Sequence, residues 1–181
     1  MREISLHILD IAENSVNAGS TVVRITIIEN LNKDELIIQI EDNGKGMDED
    51  TVRKITDPFV TTRTTRKVGL GIPFLKAAAE ACQGGMVIDS TPGIGTTISV
   101  RFQHSHIDRM PLGDINNTLL SLIVGYPEVR WIYTHQVDSR EFHFDTEPVR
   151  EIVGEISFSD PDVIKYLKGT ISQGINGMAV R

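Results

Sequence analysis

Three stretches near the N-terminus combine side chains and backbone suited to holding a polar ligand. His7, Asp10, Asn14 and Asn17 recur at spacings of three, four and three. That spacing puts them on one face of a helix. Because most of that helix is apolar, the stripe is expected to face a wet cavity. Glu41–Met47 reads EDNGKGM and leaves Asp42 at the mouth of an apolar strand, with Gly44 and Gly46 behind it. Glycine lacks a Cβ and tolerates positive φ, so backbone can approach a flat ligand while the carboxylate stays in reach. Taken alone the stretch is a tight-turn signal. Gly69-Leu70-Gly71 opens a helix with Pro73 in its first turn. Free amides at a helix start, with the helix dipole behind them, favour an anion. Between these motifs, Val60–Lys67 holds four threonines and the cations Arg63, Arg66 and Lys67 but no acid. Hydroxyls and cations in such a loop suit a mobile cover over phosphates. Together the motifs point to a nucleotide.

The elements that position them follow from hydrophobic periodicity. Residues 3–18 form a helix with Ile4, Ile8, Ile11 and Ala12 on its apolar side, closed by Asn17-Ala18-Gly19. Val23, Ile25 and Ile27 mark one strand, and Leu36, Ile38 and Ile40 a second that delivers Asp42. Asn30–Asp34 is short enough for an antiparallel hairpin. A short helix spans Asp50–Ile55, and a longer one buries Leu75, Ala78, Ala79 and Cys82 before Gly84-Gly85 stops it. Met86–Thr91 and Thr96–Phe102 are strands joined by Pro92–Gly95. This order predicts an α+β fold, a two-layer sandwich of a mixed or antiparallel sheet with helices on one face.

In this order the motifs resemble the GHKL superfamily, which comprises gyrase-type topoisomerases, heat-shock chaperone ATPases, histidine kinases and MutL-like mismatch-repair proteins. The resemblance covers about residues 4–102. DPFVTTR, GLGI and TPGIGTTISV are most similar to the histidine-kinase type, and LDIAENSVNAG to the gyrase and MutL type. It implies a site for ATP and Mg²⁺. Asn14 would hold the ion through its amide oxygen, and Asp42 would accept a hydrogen bond from the adenine amino group. Gly44 and Gly46 would shape the purine pocket. Gly69, Leu70 and Gly71 would give backbone donors to the phosphates. Thr97 would support the adenine side, and Thr62, Arg63 and Lys67 would belong to the lid. Where hydrolytic members carry a glutamate four residues before the asparagine, this chain has Asp10, one methylene shorter. As a candidate base it leans the reading toward an enzyme, an ATPase or protein kinase that hands the terminal phosphate to water or to a partner protein. The alternative is a nucleotide-gated binding module without significant turnover. No phosphoacceptor histidine or helical hairpin precedes the first helix, so a complete histidine kinase is not expected.

Composition sets the outer bounds. A net charge of -7 argues against general nucleic-acid binding. One cysteine and no apolar run of membrane-spanning length suggest a soluble cytoplasmic protein. Residues 103–181 are expected to form a small α+β regulatory, docking or dimerisation module. It would hold a helix capped by Asp114, a hairpin from Val129 to Phe144, and helices at Glu147–Val153 and Pro161–Gln173. The tail from Gly174 is expected to be loose. His104-x-His106 reads as a polar linker rather than a metal pair, and His135 as a hydrogen-bonded core histidine.

Overall fold

The computed structural model describes residues 3–56 and 71–178. Its elements run α1 (Ile4–Asn17), β1 (Val22–Asn30), β2 (Glu35–Asp42), α2 (Glu49–Thr56), α3 (Gly71–Ala81), β3 (Gly85–Thr91), β4 (Gly95–Gln103), α4 (Ile115–Gly125), β5 (Arg130–Val137), β6 (Arg140–Asp145), α5 (Thr146–Val153) and α6 (Pro161–Met178). The strands form one sheet in the order β3-β4-β2-β1-β5-β6. All neighbours are antiparallel except β1 and β5.

Alternation assigns the sheet's faces. Val23, Ile25 and Ile27 of β1, Leu36, Ile38 and Ile40 of β2, and Ile98, Val100 and Phe102 of β4 are buried on one side. That side meets a row of helices in which α1 packs against α3 and α4, and α4 against α6. The opposite side carries Arg24, Thr26, Gln39, Glu41, Ser99 and Arg101, and is mostly polar. Among the described residues no helix is long and apolar enough to cross a membrane.

The second half of the chain is continuous with the first. In β5, Trp131, Tyr133 and His135 register against Val23, Ile25 and Ile27, so the hairpin β5–β6 extends the same sheet and the same core. The connector after β4 then caps α1 through its backbone: the Ile4 and Ser5 amides donate to the carbonyls of Pro111 and Leu112 at 3.0 and 2.8 Å. Residues 103–178 therefore share their sheet and buried apolar cluster with the described residues that precede them. Nor is the stretch from Gly174 to Met178 loose, because α6 runs through it. Gly174 lies under the Phe142 ring, where any Cβ would collide, and Arg140 Nη1 donates to the Gly177 carbonyl at 3.0 Å.

At the end of β1 away from Asp42, Glu29 joins the halves again. Its carboxylate bonds His104 Nε2 at 2.7 Å and His135 Nε2 at 2.8 Å, while Tyr133 Oη lies 3.1 Å from His135 Nδ1. His135 is thus the hydrogen-bonded core histidine that its alternation implies. His104 is committed to Glu29, and His106 Nδ1 accepts from the Asp108 amide. Among the described residues no group of three or more His, Cys, Asp or Glu side chains could hold a metal. Burial pushes the Glu29 carboxyl up, but the two imidazoles bonded to it bring it below the usual glutamate value. Burial, with the Glu29 charge beside it, raises the Tyr133 phenol.

Candidate nucleotide site

Asp42 ends β2 where the strand leaves the sheet, and three donors converge on its carboxylate. Ser15 Oγ lies 2.7 Å from Oδ2, the Gly44 amide donates to Oδ1 at 2.8 Å, and Ser20 Oγ lies 3.1 Å from Oδ1. The turn that follows is strapped on both sides. The Lys45 amide donates to the Ala18 carbonyl at 3.0 Å, the Gly93 amide to the Lys45 carbonyl at 2.7 Å, and the Met47 amide to Ser90 Oγ at 2.8 Å. Gly46 has φ +65, and a Cβ there would run into the Thr91 carbonyl, so glycine is required. Gly44 is tight for a different reason: a Cβ would lie 2.6 Å from Ser20 Oγ and 3.0 Å from Asp42 Oδ1.

In front of this turn is a cavity of about 200 Å³. Ile11, Met47, Ile55, Ile72 and Ile98 supply apolar wall, and Asn14, Ser15, Asp42, Lys45 and Thr96 supply polar atoms. An apolar slot with one well-anchored carboxylate suits a flat ring whose edge carries a hydrogen-bond donor. Asn14 and Asn17 reach this cavity from α1, as their spacing implies.

The rest of the stripe does not. His7 and Asp10 lie beneath the start of α3, where a Cβ on Gly71 would strike the Asp10 carboxylate. Asp10 Oδ2 and His7 Nδ1 are enclosed there without a hydrogen-bond partner among the described residues. Burial lowers the His7 imidazole below its ordinary value, against a hydrogen bond to the Gly71 backbone. The expectation that one wet cavity meets the whole stripe therefore needs correcting, because α3 covers its N-terminal half.

Thr97 needs a second correction. It registers against Glu41 and points to the polar side of the sheet, where it lines a separate pocket with Arg24 and Asp89. Thr96 registers against Asp42, lines the cavity and bonds Ser90 Oγ at 2.8 Å. A one-residue step along a strand reverses the face. Thr62, Arg63, Lys67, Gly69 and Leu70 lie outside the described residues. Sequence reasoning missed Ser15, Ser20 and Lys45. Ser15 left a signal: it continues the buried line Ile4, Ile8, Ile11, where a hydroxyl is out of place without a partner.

A family pattern described as histidine kinase-, DNA gyrase B-, and HSP90-like ATPase matches residues 2–106. The chain belongs to this family. Among relatives of this ATPase-family chain, the signal transduction histidine-protein kinase AtoS of Escherichia coli is 36% identical over 94 residues, covering 51% of this chain and 15% of AtoS. The cell-division control histidine kinase PdhS of Brucella anthropi is 30% identical over 120 residues, covering 59% of this chain and 11% of PdhS. The chain thus spans a small part of the length of either kinase. In three dimensions it is similar to the Aquifex aeolicus MutL ATPase domain complexed with ADP, with a TM-score of 0.50 at 16% identity, over 84% of this chain and 69% of that one. The α+β fold of the family is therefore present, in a six-stranded form.

Proposed function

We propose that the cavity before Asp42 binds ATP, with the adenine amino group donating to the Asp42 carboxylate and the phosphates lying toward Asn14 and the start of α3. One observation carries this reading: a single carboxylate, anchored by Ser15, Ser20 and the Gly44 amide, stands at one end of an apolar slot with Asn14 on its wall. Family membership supports it, as does the ADP in the similar MutL domain. Asn14 fits a magnesium ion, because this ion takes one or two protein oxygens and completes its shell with phosphate and water. When bound, the ion offsets phosphate charge. Lys45 is a cation on the same wall, available to the nucleotide.

Two fates of the terminal phosphate follow. In the first, water or a side chain of a partner protein accepts it, in the cytoplasm where ATP is supplied, with Asp10 as base. In the second, the nucleotide only gates binding of a partner. Asp10 turns one oxygen, Oδ2, toward Gly71 and does not line the cavity, which favours the second reading, since a base must come within hydrogen-bond reach of the proton it removes. In either case β5, β6 and the helices around them are the proposed contact for a partner or a second copy.

Titration calorimetry with ATP and Mg²⁺ tests the site. Heat of binding is expected for the native chain, with at least about tenfold weaker binding in Asp42→Ala. Equal affinity in the two would remove the proposal. Labelled ATP then separates the fates: phosphate release lost in Asp10→Asn identifies hydrolysis, and label moving to another protein identifies transfer. Intact ATP after long incubation identifies the gate.

A further inference from the structure

Each hydroxyl near Asp42 has one proton to give. Ser15 Oγ lies 2.7 Å from Asp42 Oδ2 and 3.3 Å from the Ile11 carbonyl, so the carboxylate is its better acceptor. Ser20 Oγ lies 2.7 Å from the Ser15 carbonyl and 3.1 Å from Asp42 Oδ1, so its proton goes chiefly to the carbonyl. The Gly44 amide already serves Oδ1 at 2.8 Å. Thus, among the described residues, Ser15 is the one side chain whose donated proton fixes Oδ2. It is buried, in a helix that gains nothing from serine. Yet it lines the cavity beside Asp42.

We infer that Ser15 is a positioning residue for base recognition: it fixes the Asp42 carboxylate plane so that an acceptor position remains on the cavity side, and thereby sets preference for purines bearing a 6-amino group. This rests on the reading that Asp42 meets the base. Without the Ser15 proton, the Gly44 amide alone would hold the carboxylate firmly, at one oxygen. The group could then turn about its χ2 bond, and its alignment with an amino donor would weaken. Ser20 acts one step further back, by holding the Ser15 carbonyl and hence the end of α1.

The test compares ATP with purine riboside triphosphate, which lacks only the 6-amino group. Calorimetry on the native chain, Ser15→Ala, Ser15→Thr and Asp42→Ala gives the preference ratio for each, with a thermal melt to confirm folding. The native chain is expected to favour ATP by about tenfold, Ser15→Ala to lose at least about threefold of that preference, and Ser15→Thr to keep it. A Ser15→Ala variant that binds both nucleotides more weakly by one common factor, or keeps the native ratio, overturns the inference. Should the alanine variant not fold, Ser15→Cys, a far weaker donor of similar size, is read the same way. The Asp42→Ala arm separates the failures. Loss of preference there with an unchanged ratio in Ser15→Ala sinks only the role of Ser15. Full preference without Asp42 removes the site reading itself, and the inference with it.

Discussion

At the scale of single residues, two carboxylates show how placement decides use. Asp42 faces a cavity with its donors behind it, whereas Glu29 is almost enclosed and serves two imidazoles. Glu29 ties the connector at His104 to β1 and β5. Its carboxyl titrates lower in the folded chain than its ordinary value of 4.5, so folding is favoured by the ionised form. The contribution is therefore complete above about pH 5 and is lost as pH falls below 4.5 through the folded value. Glu29→Gln should cost about 1–3 kcal/mol near neutrality, because one imidazole N–H would then face an amide donor. The gap between native and variant melting temperatures should narrow as the pH is lowered from 6 toward 3, as scans by circular dichroism would record. A gap that stays constant across that range would mean that Glu29 is not held ionised by its histidines.

At the scale of elements, β4 decides which threonine can matter to the nucleotide. With Thr96 on the cavity side and Thr97 on the polar side, Thr96→Val should weaken ATP binding about three- to tenfold through the lost Ser90 and cavity contacts, while Thr97→Val should leave it within about twofold. Calorimetry on the pair checks this, and the reverse order would mean that β4 is one residue out of register. Two adjacent threonines after a Pro-Gly turn carry no parity of their own; the pairing of Gly95 with Thr91 sets it. That is why the motif led to the cavity but to the wrong one of two neighbours. The strands β1 and β2 were legible from alternation, and α1 from its isoleucines, because both signals are local. Where α1 meets α3 was not legible. The stripe of His7, Asp10, Asn14 and Asn17 is regular in sequence, and only the arrival of α3 at Gly71 divides it into a covered half and a cavity half. Ser15 shows the converse, a residue placed among buried isoleucines whose partner lies 27 positions away.

At the scale of the whole molecule, the least legible feature was the parallel pairing of β1 with β5. Val22 meets Arg130 across a long stretch of chain, and no local pattern announces such a partner. The hairpin β5–β6 was itself readable, as were its alternating aromatics, but as part of a small α+β module after residue 102, with no sign of the strand it would pair with. In the fold those aromatics complete the core of the first half, and α4 rests on α1, the helix that carries Asn14. Any partner engaging the second half therefore presses on the same framework that holds the cavity. The family pattern ends at residue 106, yet β1 is an interior strand only because residues 130–137 lie beside it. A version of the chain stopped at 106 would bare a row of amides and carbonyls along β1 and lose Trp131 and Tyr133 from beneath the helices. It should elute as aggregate in size-exclusion chromatography and exchange its β1 amides rapidly with deuterium, whereas the full chain protects them. That outcome would give recognisable homology and the smallest piece able to fold unaided different borders, the second being the wider.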